Sequence, residues 1–510
     1  MKLFKLFLVA VIGLGFMACN ADEQPVVENK TTDSYASITI KFPGKVSTRA
    51  LPGDYNENGT WMGRDNLETV TVFLVNETKG VVDYNFFSKS AFAEIDINGV
   101  LHPNLALKAT AGENVRAYVV INGVEDILNT LKATSAANFA TAFAAEANKI
   151  ASQVAWYNSP VAPATKGTET IMMTNDQDAY ALTVLPYISE EDAKTGVNNN
   201  IRVNVERVVS RAFMTVVPEE TEGNGWPVNA LIGGTETQIA TVKGVSYAVG
   251  QSNKKFYIMK RTDFAVPDPV YTFVPADFAA WAAANNTNFD YSGLTSFTTV
   301  TQWAYDAANV STPLAAETTS KFVLPVNHVV NVTDLDIARG SYKKGNTTYF
   351  EIWAQFIPNE VIINSEGGVE VPTTAATVFW GENDKKFYKT RDLAIAQGQK
   401  ATEFIDGVMK YVLWLNPNAL ASTPSDLNPK VSPTVRNQVY HAHIDKFLRM
   451  GLPNNPLNPD DPDKEGNPDN PINAEDPLKT DYTYLSVSVK VLPWTIHTYK
   501  YNLDDPGTMY

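Results

Sequence analysis

Cysteine, histidine and positive charge are all scarce in this chain, and each shortage excludes a kind of site. The 510 residues contain one cysteine, Cys19, and five histidines. A single cysteine excludes a disulfide framework and a zinc site built from cysteines. There are 41 Lys and Arg against 56 Asp and Glu, which gives a net charge of −15. Because an acidic chain repels phosphate backbones, we expect no nucleic-acid partner.

Motifs of common enzyme classes are absent from the sequence as well. It contains no phosphate-binding loop, no G-x-S-x-G nucleophile motif and no H-E-x-x-H metal motif. Its carboxylates are scattered, so no pair of them indicates acid–base chemistry. We therefore expect a protein that is not an enzyme and has no cofactor.

The N-terminus is typical of an export signal. Two lysines precede an apolar run, 7–17, that is too short to span a bilayer comfortably, and Cys19 follows a small residue. This order is similar to a bacterial lipoprotein signal, which predicts removal of residues before Cys19 and attachment of lipid (palmitate) to it. The alternative is an ordinary signal peptide, 1–19, with an incidental cysteine. Residues 20–33 predict a flexible tether, and no later stretch is apolar enough to span a membrane.

Beyond the tether, the pattern predicts a mainly β fold. The clearest predicted strands are 36–42, 70–75, 115–123, 201–216, 241–249, 349–357, 410–416, 438–447 and 484–491. The Ala-rich stretch 124–157 has helical spacing and predicts one or two helices across the sheets. An acidic, Gly- and Pro-bearing stretch, 217–236, indicates a domain boundary. We therefore expect two β-sandwich domains, 50–236 and 237–510, with a short helical insertion in the first.

The first predicted strand lies directly before a loop that a protease could cut. Four apolar residues alternate with polar ones in this strand: Ala36, Ile38, Ile40 and Phe42. The polar loop that follows contains Arg49, and exposed loops of this kind are where proteases cut. If cleavage after Arg49 released the strand, its sheet would expose unpaired backbone groups and an apolar floor. A strand from another copy of the chain could restore both.

The C-terminal region has an unusual linker followed by strongly alternating sequence. Residues 453–477 contain seven Pro and seven acidic residues, so we expect a long extended loop there. The tail 493–510 follows it and is the candidate donor of a strand. Its two alternating sets are Trp494, Ile496 and Thr498, and Tyr499, Tyr501 and Leu503. The alternative is that this tail is an ordinary last strand of its own domain.

One polar triplet could hold a metal ion. His441, His443 and Asp445 alternate on a predicted strand, so they share one face. We expect this face to contact water without a metal. The opposite face is then the core side and carries Tyr440, Ala442 and Ile444.

Several short motifs, in order along the whole chain, resemble those of the major fimbrial subunits (type V pilins) of Bacteroidales, and most of all the shaft subunit of their short, or minor, fimbriae. The later matches are YKKGNTTY (342–349), WLNPN (414–418), SPTVRN (432–437), IDKF (444–447), the Pro/Asp-rich linker and PWTIHTY (493–499). The earlier matches are the lipoprotein signal, the alternating strand followed by Arg49 and Ala50, and the R-x-x-x-R of Arg207 and Arg211.

This resemblance implies a fold and a function. Both domains would be transthyretin-like β-sandwiches, and the precursor would be anchored at the outer membrane through lipid on Cys19. An Arg-specific, trypsin-like protease would cut after Arg49, so that the mature subunit begins at Ala50. The mature subunit would polymerise with identical subunits into a surface fimbrium that supports adhesion and biofilm formation. Accessory tip and anchor subunits would be further partners.

Two other function classes remain open from the residues alone. The first is a glycan-binding β-sandwich lipoprotein of the outer membrane, which the aromatic content of 11% permits because aromatic faces stack on sugars. It would remain a lipidated, uncut monomer. The second is a hydrolase on a β scaffold, which no nucleophile, base or metal motif supports.

Overall fold

The computed structural model describes most of the chain between residues 33 and 498. The described residues are 33–42, 65–92, 99–101, 105–158, 169–261, 265–268, 288–305, 320–326, 343–415, 434–453, 475, 485–492 and 497–498. They form two large β-sheets, several small ones and four short α-helices among the described segments.

The first half of the chain builds a nine-stranded sheet. The elements of this half are β1 (Ser34–Lys41), β2 (Thr69–Asn76), β3 (Val81–Ser88), β4 (Val100–Leu101), β5 (Leu107–Ala109), β6 (Gly112–Ile121), α1 (Glu125–Lys132), α2 (Ala136–Phe143), β7 (Glu146–Asn148), β8 (Ala155–Tyr157), β9 (Glu169–Ile171), β10 (Met173–Asn175), β11 (Tyr180–Val184), α3 (Glu190–Lys194) and β12 (Asn200–Arg207). The strand order is β3-β2-β6-β10-β12-β1-β4, with β11 also paired to β6 and β5 to β1. The first sheet therefore has β1 as an inner strand, although β1 is first along the chain.

The helices α1 and α2 cover one face of this sheet. In α1, Ile127, Leu128 and Leu131 are buried, as the i, i+1, i+4 spacing of an amphipathic helix requires. In α2, Phe139 contacts Tyr118 of β6 with ring centroids 4.9 Å apart. The helical prediction for 124–157 is confirmed up to Phe143 and is wrong beyond it, where the chain forms β7 and β8. Helix propensity, although highest for alanine, is overridden by tertiary context, so strand pairing decided the conformation of these last residues.

The second half of the chain builds an eleven-stranded sheet and a smaller five-stranded one. Its elements are β13 (Ser210–Val216), β14 (Trp226–Ile232), β15 (Thr235–Gly250), β16 (Ser252–Asn253), β17 (Lys255–Tyr257), β18 (Phe289–Asp290), β19 (Thr298–Thr299), β20 (Thr301–Gln302), β21 (Lys321–Val323), β22 (Tyr349–Pro358), β23 (Val361–Ile362), β24 (Val369–Glu370), β25 (Val378–Gly381), β26 (Lys386–Tyr388), α4 (Arg391–Ala396), β27 (Ala401–Phe404), β28 (Val408–Trp414), β29 (Val439–Phe447), β30 (Leu485–Leu492) and β31 (His497–Thr498). The large sheet has the order β20-β13-β29-β14-β15-β22-β28, with β30 paired to β29 and β31 to β30. Each large sheet has its own buried apolar cluster.

The chain passes from the first sheet to the second within three residues. The predicted strand 201–216 is in fact two strands, because β12 ends at Arg207 and β13, in the other sheet, begins at Ser210. The residues between them, Val208 and Val209, are buried. They extend the apolar pattern across the break, so the sequence alone does not reveal it. The change of sheet thus precedes the composition change at 217–236, and the division into domains at 236 stays a prediction.

The expected fold class, mainly β with a short helical insertion in the N-terminal part, is confirmed. Among the described residues, no helix has the length and apolar character that crossing a bilayer requires.

Candidate functional site: the first strand and the groove that holds it

The strand β1 is held between partners that come from distant parts of the chain. It pairs in parallel with β12, where Ser37 to Lys41 lie beside Asn200 to Asn204. Its other edge pairs in antiparallel fashion with β5 near its start and with β4 near its end. Both edges of β1 are therefore satisfied, and removal of β1 would leave backbone donors and acceptors unpaired on each side.

The apolar face of β1 is fully buried, as the alternating sequence predicts. The exposed fraction is 0% for Ala36 and Ile40 and 1% for Ile38 and Phe42, and all four belong to the core of the first sheet. Burial of a side chain of the size of Ile or Phe contributes about 1.5–3 kcal/mol. The three large side chains together therefore contribute roughly 5–9 kcal/mol to retention of β1, before its ladder hydrogen bonds are counted.

Neutral hydrogen bonds fix the first residues of β1. The Ser34 hydroxyl donates to the carbonyl of Leu185 at 2.6 Å and accepts from the N–H of Ile188 at 3.1 Å. The Asn199 amide donates to the carbonyl of Tyr35 at 2.8 Å. At this end, Asp33 makes an ion pair with Lys79 at 3.7 Å, and both side chains are at least two-fifths exposed. Such an exposed pair contributes little to stability.

Two buried ion pairs, by contrast, involve residues that follow Arg49 in the chain, the first of them Asp65. The guanidinium of Arg207, at the end of β12, binds both carboxylate oxygens of Asp65, with Nε donating to Oδ1 at 2.9 Å. The two side chains are 3% and 1% exposed. In β13, Arg211 pairs with Glu169 at 2.8 Å, and both are buried. Loss of one partner from such a pair leaves an uncompensated buried charge, which costs about 3–5 kcal/mol.

A third buried arginine joins the two large sheets. Arg436 precedes β29, and its guanidinium donates to the carbonyl of Arg207 at 3.2 Å and to the Thr174 hydroxyl at 2.9 Å. It also contacts the carbonyls of Tyr257 and Ile258. Burial lowers the pKa of Arg436 to about 10, which leaves it charged at neutral pH. In the sequence, Arg207, Arg211 and Arg436 stand out only as parts of short motifs. The spacing of these arginines does not indicate which carboxylates or carbonyls they bind.

The expectation that the polar triplet on β29 faces water is wrong, because its two histidines are buried. His441 and His443 are both 0% exposed. The hydroxyl of Thr215 in β13 lies 2.6 Å from His441 Nε2 and 2.8 Å from His443 Nδ1. His443 Nε2 lies 3.3 Å from Asp445 Oδ1, with the carboxylate partly exposed.

Aromatic rings cover these two imidazoles. Phe213 stacks on His441 with ring centroids 4.3 Å apart. The ring centroid of Trp303 lies 5.7 Å from that of each imidazole. Trp303 is placed there because the residues before it pair with β13, and its backbone N–H donates to the carbonyl of Val216 at 2.8 Å. Within the described part of the chain, no group of His, Cys, Asp and Glu is arranged to hold a metal ion. The opposite face of β29, with Tyr440, Ala442 and Ile444, lies in the core of the second sheet as predicted.

The predicted processing and donor residues fall mostly outside the described segments. These are Cys19, Arg49, Ala50, Trp494, Ile496, Tyr499, Tyr501 and Leu503. Thr498 lies in β31, which pairs with β30. The strand β30 itself pairs with β29 along its whole length, from Leu485 to Leu492. In this structure the strand before the candidate donor tail thus belongs to its own chain's second sheet.

Comparisons with known proteins agree on one group of relatives. The family model described as major fimbrial subunit protein type IV, fimbrillin, C-terminal, matches residues 402–500. Two relatives, both named minor fimbrium subunit Mfa1 and both from Porphyromonas gingivalis, are each 30% identical to this chain over 98% of its length and 99% of theirs.

Two solved structures also match most of the chain at low sequence identity. One is a fimbrilin (fimA) from Porphyromonas gingivalis W83, with 14% identity, a TM-score of 0.39 and coverage of 92% of this chain and 100% of that chain. Another is a putative cell adhesion protein from Parabacteroides distasonis, with 11% identity, a TM-score of 0.43 and coverage of 90% and 99%.

Proposed function

The chain belongs to the family of fimbrial subunits that includes the minor fimbrium subunits of Porphyromonas gingivalis, a family of structural rather than enzymatic proteins, and from this premise we propose how it is delivered and assembled. Its role is that of a structural and adhesion subunit of a fimbrium at the cell surface. In the proposal, the precursor is exported as a lipoprotein on Cys19, cut after Arg49 by an Arg-specific protease, and polymerised by strand exchange.

The observation that carries the proposal is the position of β1. It is an inner strand with a fully buried apolar face, yet it is joined to the rest of the subunit only through the segment that contains Arg49 and ends at Asp65. A cut in that segment makes β1 a separate piece. Its departure leaves a groove with two unpaired edges and an apolar floor, and this groove accepts any strand of matching alternation.

Before the cut, β1 blocks its own groove. The uncut precursor therefore does not assemble inside the cell, and assembly waits for proteolysis. Asp65, which follows the proposed cut along the chain, is held separately through its buried pair with Arg207. Cleavage in this scheme frees β1 without loosening the chain that follows.

The proposed donor is the C-terminal tail of the next subunit. Its two alternating sets, one led by Trp494 and one led by Tyr499, match the period of two that the groove requires. Donor and acceptor are different surfaces, so the contact is heterologous and does not close, which produces a filament. Identical subunits are therefore the main partners, with tip and anchor subunits at the ends.

Cleavage also makes the subunit more acidic. Residues 1–49 carry six basic and four acidic residues, so the mature charge is 35 − 52 = −17. A fibre of such subunits stays soluble through repulsion between neighbours.

The test is an assembly assay with the variant Arg49→Ala. Wild-type precursor treated with an Arg-specific protease should give an SDS-resistant ladder and a new N-terminus at Ala50. The Arg49→Ala precursor should stay monomeric. Lys45→Ala is the matched control, because it changes a basic residue of the same loop that an Arg-specific protease does not need. A ladder from Arg49→Ala, or a wild-type N-terminus at a modified Cys19 in surface fibres, would contradict the proposal.

A further inference from the structure

The loop that receives the first residues of β1 carries an unusual apolar surface. We call residues 185–199 the pole loop. Three of its large apolar side chains are strongly exposed: Leu185 at 48%, Tyr187 at 89% and Val197 at 79%. Single exposed apolar residues need no explanation, but three in the connection between β11 and β12 indicate a contact surface.

Tyr187 has a strained backbone conformation. Its φ of 62° is in the left-handed region, where a bulky residue is a genuine outlier. Hydrogen bonds on both sides hold it there: its N–H donates to the carbonyl of Asp33 at 3.2 Å, and Ser189 caps α3 by accepting from Asp192 at 3.1 Å. A conformation that is strained and also exposes an aromatic ring gives the isolated subunit no stability, which indicates a use outside the subunit.

The shape of the pole loop depends on a strand being present in the groove. The Ser34 hydroxyl bonds to Leu185 and Ile188, and Asn199 bonds to Tyr35. Each of these contacts joins the loop to the first residues of β1. A strand that replaces β1 would have to remake the backbone part of this set.

The two ends of the groove differ in what lies beyond them. β1 runs parallel to β12, and the chain leaves β12 at Arg207 to enter the second sheet at Ser210. The Lys41 end of the groove therefore points toward the subunit's own second sheet. The Ser34 end, beside the pole loop, points away from it. If the body of a neighbouring subunit avoids the second sheet, it lies at the Ser34 end when its strand fills the groove.

We propose that the pole loop is the docking surface for the body of the next copy of this chain, with Tyr187 as its central contact. This inference rests on the proposed strand exchange and adds to it a second contact outside the groove. The occupant is a second copy because the surface is continuous with the groove that the second copy's strand enters. In the precursor, the Asp33 carbonyl accepts from the N–H of Tyr187, so the chain enters β1 beside this same surface.

The first test compares filament elongation of Tyr187→Gly with that of wild type after complete cleavage at Arg49. Glycine adopts a positive φ without strain, so the thermal unfolding midpoint of the variant should be unchanged or higher. Loss of a central aromatic contact should slow elongation about tenfold. The triple variant with Leu185→Ser and Val197→Ser should be slower still. Val369→Ser with Val371→Ser is the matched control. Val369 lies in β24 of the small five-stranded sheet and Val371 directly follows β24, and they are 53% and 69% exposed.

The second test does not depend on loss of an interaction. A photoreactive phenylalanine analogue at position 187 should cross-link neighbouring subunits in the filament and give no dimer from the uncut precursor. Elongation of Tyr187→Gly at the wild-type rate, or absence of such cross-links in the filament, would overturn the docking surface. If wild-type protein itself fails to polymerise after cleavage, the strand-exchange proposal fails and the docking surface falls with it. Polymerisation that is equal in wild type and variants overturns the docking surface alone.

Discussion

A disulfide that holds β1 in place should stop assembly without preventing cleavage. Thr39 of β1 and Arg202 of β12 are paired across the two strands, and both side chains lie away from the core. Adjacent strands are about 4.8 Å apart, which is within the range that a disulfide bridges. We would introduce Thr39→Cys and Arg202→Cys in a precursor that begins at Asn20, so that the pair contains the only cysteines.

The size of the effect follows from how β1 is held. Apolar burial of roughly 5–9 kcal/mol retains it, while immobilising a separate segment costs about 4 kcal/mol or more. The difference is at most about 5 kcal/mol, which corresponds to a Kd on the order of 0.1 mM. Each retained ladder bond tightens this by about 1 kcal/mol, or roughly fivefold. A cut β1 is therefore held only by non-covalent contacts, which an incoming strand that makes equivalent contacts can displace, whereas a disulfide prevents displacement altogether.

The assay follows SDS-resistant ladders with and without reductant. The oxidised variant should be cut after Arg49, with both pieces still linked on a non-reducing gel, and should give less than a tenth of the wild-type polymer. Reductant should restore polymer formation. The control is Thr69→Cys with Ser88→Cys, which links β2 to β3 at paired positions of a hairpin that the proposal leaves in place. Full polymerisation of the oxidised Thr39–Arg202 variant would refute strand release.

Two further predictions concern the buried polar groups. Asp65→Ala should lower the free energy of unfolding by about 3–5 kcal/mol, because it leaves the Arg207 cation buried without its carboxylate; Asp126→Ala, which removes a carboxylate 61% exposed, should cost under about 1 kcal/mol in the same urea titration. Thr215→Val keeps the shape of the side chain but removes the hydroxyl between His441 and His443, so it should cost about 1–3 kcal/mol, while Thr299→Val on the exposed part of β19 should cost almost nothing. An equal loss in either variant and its control would show that the buried contact is not what stabilises the fold.

Local pattern predicted the strand β1, because alternation depends only on neighbouring residues. The buried face of Ala36, Ile38, Ile40 and Phe42 was predictable for the same reason. Its partner β12 was not, since parallel pairing joins segments far apart in sequence without any local sign. The position of Asp65 opposite Arg207 is likewise a consequence of the whole fold.

The two histidines show the limit of reading a face from alternation. The pattern correctly placed His441 and His443 on one face of β29, but it does not tell whether another segment covers that face. Trp303 and Tyr305 do so, from a segment that pairs with β13 rather than with β29. Burial, followed by the charge of Asp445, raises the pKa of Tyr305, as expected for a phenol in this partly enclosed site.

The contacts of β1 differ from those of Asp65, on the other side of Arg49. This difference explains why a cut between them would release β1 and leave the rest of the fold in place. β1, before the loop, is held by apolar burial, backbone pairing and a few neutral hydrogen bonds, and any alternating strand can supply most of these. Asp65, after the loop, is held by a buried charge pair that depends on one carboxylate at one position. Apolar contacts tolerate substitution of one partner by another of similar shape, whereas a buried charge does not. The segment between them thus separates a replaceable part of the chain from a part that must remain. In the proposed assembly, a protease that cuts this segment would prepare the subunit for a new strand while the rest of its fold is retained.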